Sequence, residues 1–189
     1  MPTAPAPDAR ERILRTAAEL FYREGIRAVG IDTIVARSGV AKMTLYRHFA
    51  SKDDLVVAYL RERDARFWRW FERALASGAT PRDQLVALFE AQAERVVQPD
   101  YRGCPFVNAA VEFPEPGHPG REVVLANKRA VRARLRELSA AAGAADPDAL
   151  ADQLALLLDG AYASAQALGG GPATRVAGAA AALIDAQLG

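Results

Sequence analysis

A glycine-centred turn between two short amphipathic segments does most to restrict what this chain can become. From Ile31 to Ser38, the residues Ile31, Ile34 and Val35 recur at helical spacing and give the segment one apolar side. Gly39 follows, a residue that enters positive φ at little cost, so a helix can stop there and the chain can turn. Past Val40, a second segment from Lys42 to Phe49 carries Leu45 as its apolar anchor. Two short helices joined by such a turn predict a helix-turn-helix, whose second helix is shaped to lie in a DNA major groove.

Charge agrees with that reading. From Ala36 to Lys52 the ionised side chains are Arg37, Lys42, Arg47 and Lys52, all cationic, with His48 beside them. Cations that neutralise DNA phosphates release counterions and supply most non-specific affinity. Thr44, Tyr46 and His48 add groups that hold phosphates or touch base edges. The DNA-contacting set is therefore expected to be Arg37, Lys42, Met43, Thr44, Tyr46, Arg47, His48 and Lys52. The plainer alternative is a helical hairpin with a solvated basic face.

These residues carry a resemblance. Gly25, Ile34, Ala36, Gly39-Val40, Lys42, Thr44-Leu45-Tyr46, His48-Phe49 and Ser51-Lys52-Asp53 are similar to the DNA-binding domain of the tetracycline-repressor (TetR) family of bacterial transcriptional regulators. The chain departs from that pattern at Ala41, where a capping Ser is usual, and at Met43, Ala50 and Val29-Gly30. A missing hydroxyl N-cap typically costs ~1 kcal/mol. The resemblance implies an all-α protein with a three-helix DNA-binding head. It also implies a larger helical domain that binds a small molecule and pairs into a homodimer through its last two long helices. In a typical member the ligand releases the DNA.

Whole-chain numbers bound the rest. The chain has 189 residues, 51% hydrophobic and 25% charged, a globular composition long enough for a sizeable core. Its net charge is only +1, but residues 1–63 carry 11 Lys/Arg against 8 Asp/Glu, and residues 64–189 carry 13 against 15. A basic front and a slightly acidic rear suit a protein that meets DNA at one end. No apolar run reaches the ~18 residues of a membrane span. No apolar signal core follows Met1, and one cysteine forms no internal disulfide, so a cytoplasmic protein is expected. Pro and Ala at residues 2–7 suggest a short loose arm.

Periodicity predicts about nine helices and no strands. The first runs from a cap at Asp8 to Glu24; the fourth opens at Ser51 and continues to about Ser77, roughly 40 Å at ~1.5 Å per residue. Thr80-Pro81-Arg82-Asp83 begins the fifth, and Phe106 to Phe113 forms a short sixth. Pro114 to Gly120 is read as irregular, with a seventh helix from about Arg121 to Ala142. Asp146-Pro147 begins the eighth, Gly169-Gly170-Gly171 ends it, and Pro172 opens the ninth. Residues 1–50 are expected to form the DNA-binding domain and 51–189 the ligand-binding and dimerisation domain.

The eighth helix is apolar around most of its circumference, more than one buried face requires. A two-fold partner presenting the same pair of helices would cover it in an isologous four-helix interface. The expected interface is Leu154, Leu157, Ala161, Ser164 and Leu168 with Val176, Ala180, Leu183 and Ile184. The alternative is that both helices form a monomer's core.

Aromatic residues concentrate between Phe67 and Phe113. Helices mixing large and small side chains can leave an apolar cavity with few polar groups. The candidate lining is Phe67, Trp68, Phe71, Phe89, Gln92, Phe106, Asn108 and Tyr162, with Tyr101 as a further hydroxyl. It holds no cluster of one charge, which predicts a largely apolar, planar effector with one or two polar handles. Plain core packing is the alternative for each of them. The string GCPFVNAA around Cys104 also resembles the start of the middle helix in one TetR subgroup. Cys104 itself reads either as a redox-sensing thiol or as a buried inert one.

Two histidines and one cysteine support no transition-metal site, and no cofactor is expected. The competing class is a helical enzyme, or a ligand-binding protein with no DNA role. The acids, however, sit mostly at i, i+3 or i+4 from arginines, and no phosphate loop or nucleophile motif is present.

Overall fold

The structure, a computed structural model, describes residues 8–189; the arm expected at residues 2–7 lies outside them. Among the described residues every regular element is helical: α1 (Ala9–Glu24), α2 (Ile31–Ser38), α3 (Lys42–His48), α4 (Lys52–Leu75), α5 (Pro81–Arg95), α6 (Pro105–Glu112), α7 (Pro119–Ala142), α8 (Pro147–Leu168), α9 (Gly170–Ala173) and α10 (Val176–Leu188). Nine are full helices and α9 is a single turn of four residues.

Caps set most of the starts. Asp8 accepts from the Glu11 amide at 2.8 Å, Ser51 from the Asp54 amide at 3.0 Å, Thr80 from the Asp83 amide at 3.1 Å, and Asp146 from the Ala149 amide at 2.9 Å. Each satisfies one of the donors that a helix start leaves open. Several boundaries differ from the sequence reading: α4 ends at Leu75 and not Ser77, α6 begins and ends one residue earlier, and two further changes have a visible cause. Pro119 and Gly120 are helical, because the His118 imidazole accepts from the Gly120 amide at 3.1 Å and Pro119 takes the first helical position. The final helix does not run unbroken from Pro172. The Thr174 hydroxyl bonds the Gly171 carbonyl at 2.7 Å, closes α9, and α10 restarts at Val176.

α2 and α3 pack on α1, forming a head with α4 beneath it. In the body α7 lies along α8, α10 covers α5 and α8, and α4 packs on α5 and α7. One apolar cluster runs without a break from Ile13, Ile34 and Leu45 through Leu55, Tyr59 and Leu60 to Phe71, Leu88, Leu135, Leu154 and Ile184. α4 supplies the shared residues, so head and body are joined through a common core rather than a linker. Among the described residues no helix is long and apolar enough to cross a membrane.

Candidate functional site

The head is built to hold one face of α3 outward. Leu45 is 0% and Phe49 4% exposed, and they seat the helix on α1 and α2. Burying a leucine fully contributes ~1.5–3 kcal/mol. Lys42, Met43, Tyr46, Arg47 and His48 stand in solvent, Met43 at 79% and Tyr46 at 43%, while Thr44 is half-buried. Exposed methionine and tyrosine beside three basic groups form a surface with apolar, aromatic and cationic reach.

The turn before α3 is clamped from behind. Gly39 takes φ 65 and ψ 30, the left-handed region. The Arg12 guanidinium of α1 donates to the carbonyls of Ser38 at 2.8 Å and Gly39 at 3.0 Å. Sequence reading missed Arg12 because a first-helix arginine looks like surface. Neither Gly30 nor Ala41, the residues that open α2 and α3, gives a side-chain cap.

Two of the expected cations have partners. Lys42 Nζ pairs with Asp32 Oδ1 of α2 at 2.7 Å, which holds the ammonium above its ordinary pKa. Any phosphate contact by Lys42 competes with that carboxylate. Lys52 is half-buried with Nζ 3.5 Å from the Arg27 carbonyl, and burial pulls its pKa down despite Glu112 and Asp53 nearby. Arg37, on α2, is exposed and keeps its reach.

The head is tied to the body by more than packing. The Glu112 carboxylate, at the end of α6, accepts from the amides of Ile26 at 3.0 Å and Arg27 at 2.6 Å in the turn between α1 and α2. Tyr22 of α1 accepts from the Arg102 amide at 2.9 Å and donates to the Gly103 carbonyl at 3.2 Å. His118 Nε2 lies 3.5 Å from Asp53 Oδ1 at the start of α4 and stacks on Phe113. α6 thus touches the head at one end and the interior of the body at the other.

The aromatic set does not converge on one pocket. Phe67, Phe106 and Tyr162 line a partly enclosed cavity of about 250 Å³ that Tyr22, Arg63 and Arg95 also wall. Trp68 faces a separate cleft of about 510 Å³ between α4 and α7. Phe106 also borders a groove of about 460 Å³ among α6, α7 and α8, with Val107, Val111, Val124 and Leu158. Phe71 and Phe89 are fully buried core. Asn108 is outside the cavity, donating to the Arg102 carbonyl at 3.0 Å. Gln92 is 0% exposed, and neither of its amide atoms finds a partner among the described residues.

The cavity wall also corrects the expectation of a lining without a charge cluster, since Arg63, Arg66 and Arg95 all border it. Sequence reading missed Arg63 and Arg95, because arginine spacing on a helix shows no tertiary neighbour. Tyr59, beside Arg63, is pushed up to about 12 by burial. Cys104 is 4% exposed, and burial raises its thiol against the pull of Lys128, which argues for the inert reading.

The expected interface residues split by phase. Leu154, Ala161, Val176, Ala180 and Ile184 are buried in the protomer's own core. Leu157, Ser164 and Leu183 are half-buried, and Leu168 is 70% exposed. The apolar strip left in solvent centres on Leu156, 74% exposed, which with Gly160, Ser164, Pro172 and Ala179 borders a shallow groove between α8 and α10. A helix apolar all round gives no phase in sequence, which is why the buried and exposed stripes were confused.

Comparison with known proteins follows the same division. The family described as "Bacterial regulatory proteins, tetR family" matches residues 13–59, and "Tetracyclin repressor-like, C-terminal domain" matches residues 81–181. A TetR-family transcriptional regulator from Streptomyces coelicolor is 35% identical and superposes at TM-score 0.91 with 96% of both chains covered. A TetR transcriptional regulator from Chloroflexus aurantiacus is 29% identical at TM-score 0.84, covering 95% of each. The HTH-type transcriptional regulator YjdC of Escherichia coli is 27% identical over 152 residues, 80% of both chains.

Proposed function

This chain belongs to the tetracycline-repressor family of bacterial regulatory proteins, and from that premise we propose that it is a homodimeric repressor which a small effector releases from a two-fold operator. As a family member it is a transcriptional regulator, not an enzyme. The observation that carries the finer reading is α3, which exposes Lys42, Met43, Tyr46, Arg47 and His48 while Leu45 and Phe49 lock it to the head. Those five side chains enter the major groove, and Arg37 and Thr44 hold phosphate from the flanks. Lys52 serves from its half-buried place by fixing the turn at Arg27.

Residues 1–50 act as the DNA-binding domain and residues 51–189 as the effector and dimerisation domain, within a cytoplasmic protein. Two protomers meet through α8 and α10, with the exposed strip at Leu156, Gly160, Ser164 and Ala179 in the contact. Effector enters the cavity bounded by Phe67, Phe106 and Tyr162 and shifts α6, which pulls on the head through Glu112. A switch of this kind requires different effector affinity in the two conformations.

The test is operator binding by full-length protein. Tyr46→Ala and Arg47→Ala each weaken binding to a near-palindromic duplex with half-sites about one helical turn or a multiple apart. Arg47→Ala also lowers the salt slope by about one. Unchanged affinity in both, at matched salt, removes α3 from the interface. Leu156→Glu yields monomers in sedimentation and weaker operator binding, because two heads no longer act as one unit.

A further inference from the structure

The partly enclosed cavity in the body is bordered by cationic groups that the protein itself leaves without a counter-charge. Its wall combines Tyr22, Phe67, Phe106 and Tyr162 with Arg63 and Arg95, and no Asp or Glu borders it. Arg66, a third arginine there, is already paired with Glu62 at 2.5 Å. The other two are not paired with any carboxylate among the described residues.

Arg63 lies over the rings of Tyr22 at 4.6 Å and Tyr59 at 5.4 Å and donates one terminal nitrogen to the Ala18 carbonyl at 3.1 Å. Its Nε is buried with no acceptor among the described residues. Arg95 lies over Trp70 at 4.5 Å, and its Nη1 is buried and unanswered in the same way. Ring faces steady a guanidinium but accept no in-plane N–H bond, so these donors remain open. Close by, the fully buried Gln92 amide and the Tyr101 hydroxyl lie near each other without a well-formed hydrogen bond, and Tyr101 stacks on Tyr162 at 6.2 Å. A protein interior leaves few polar atoms in this state without a reason.

We infer that this cavity takes a small organic anion, an aromatic or unsaturated monocarboxylate, with its ring among Phe67, Phe106 and Tyr162 and its carboxylate on the wall formed by Arg63 and Arg95. A carboxylate on that wall supplies the counter-charge the two guanidiniums lack, in a setting where charge-assisted bonds are strong. At about 250 Å³ the space is smaller than the ~300–1,000 Å³ of sites for drug-sized molecules, which limits the ligand to about one ring. The inference rests on the reading of the body as the effector-binding part, and it makes the expected polar handle an anionic one. Contact with Tyr22 places the ligand against α1, so its arrival reaches the head directly as well as through α6.

The experiment uses full-length protein with benzoate and cinnamate against their neutral amides, benzamide and cinnamamide. Binding is read by calorimetry and by the fluorescence of Trp70, which covers Arg95. At least one acid binds about tenfold or more tighter than its amide, as expected for hydrogen bonds to a charged group. Arg95→Gln and Arg63→Gln each remove about tenfold of acid affinity and leave the amide unchanged; Arg82→Gln, on the far surface, alters neither. Equal binding of acid and amide, no binding by either acid, or arginine variants that bind the acid normally overturns the inference. Should a variant fail to fold, the acid–amide comparison on the unaltered protein decides. Operator affinity is measured on the same preparations. Intact operator binding with no acid bound sinks the anion and spares the regulator. Acid bound tightly at Arg95 without any operator release establishes the anion site and sinks the effector role.

Discussion

Arg37 and Arg47 of the head stand in solvent, whereas Arg63 and Arg95 of the body each hide a nitrogen among aromatic rings. The residue type is the same and the energetics are opposite. An exposed guanidinium is hydrated and screened, so it acts as one of many cations toward a polyanion and its effect fades with salt. A guanidinium with a buried nitrogen and no counter-charge is more selective: it favours one acceptor of the right shape, and salt screens it less. The head therefore suits a long, charged partner recognised in sum, and the body, on the proposed reading, a small partner recognised group by group.

Salt separates the two most strongly. If the proposed dimer makes six to ten phosphate contacts, raising salt from about 50 to 200 mM lowers operator affinity by roughly 10³ to 10⁵. Binding of the carboxylate probe should change far less over the same range; a parallel collapse would show that the cavity arginines are exposed in solution. Next in size is Leu45→Ala, which removes a 0%-exposed anchor of α3 and should lower unfolding free energy by about 2–5 kcal/mol in a denaturant titration. Because α4 carries one core through head and body, a single transition should move. A separate early transition of the head would break the claim of a shared core.

Glu112→Ala is smaller and more specific. It leaves the part-buried Ile26 amide and the exposed Arg27 amide without their acceptor, a loss of about 1–3 kcal/mol for a donor kept from water and less for one that water reaches. The expected outcome is operator binding that persists but responds less to effector, measured by anisotropy with and without the probe. An undiminished response would remove α6 from the coupling. The smallest effect concerns acid. Asp148 and Asp152 are held below the usual carboxylate range by hydrogen bonds from Arg136 and Arg132. Their contribution is present above the unfolded pKa near 3.9 and is lost as pH falls through the lower folded values. Both are solvent-exposed, so the decline should be slight, and Arg132→Ala with Arg136→Ala should flatten it.

Much of the head could be read from residues in a row. The turn at Gly39, the anchors Ile34 and Leu45, and the basic run sit within a few turns of each other, so spacing alone places them. Asp32, which engages Lys42 across two helices, escaped that reading. In the body the helices and their caps were legible, but the cavity was not. Trp68, Phe71 and Phe106 share a helical, aromatic character in sequence, yet one faces a surface cleft, one is core and one lines the cavity. Gln92 was legible only as a candidate lining residue, and its full burial appeared only in three dimensions.

Sequence alone determined the helical class, the turn chemistry and the charged face of α3, since each depends on residues three or four apart, whose relative direction the helix itself dictates. Tertiary structure decided the phase of α8, where Leu154 turns inward and Leu156 outward, and the fate of Arg63 and Arg95. An apolar helix with no polar stripe has no preferred rotation until neighbours pack on it, and a guanidinium's charge acquires its meaning from the water that packing removes.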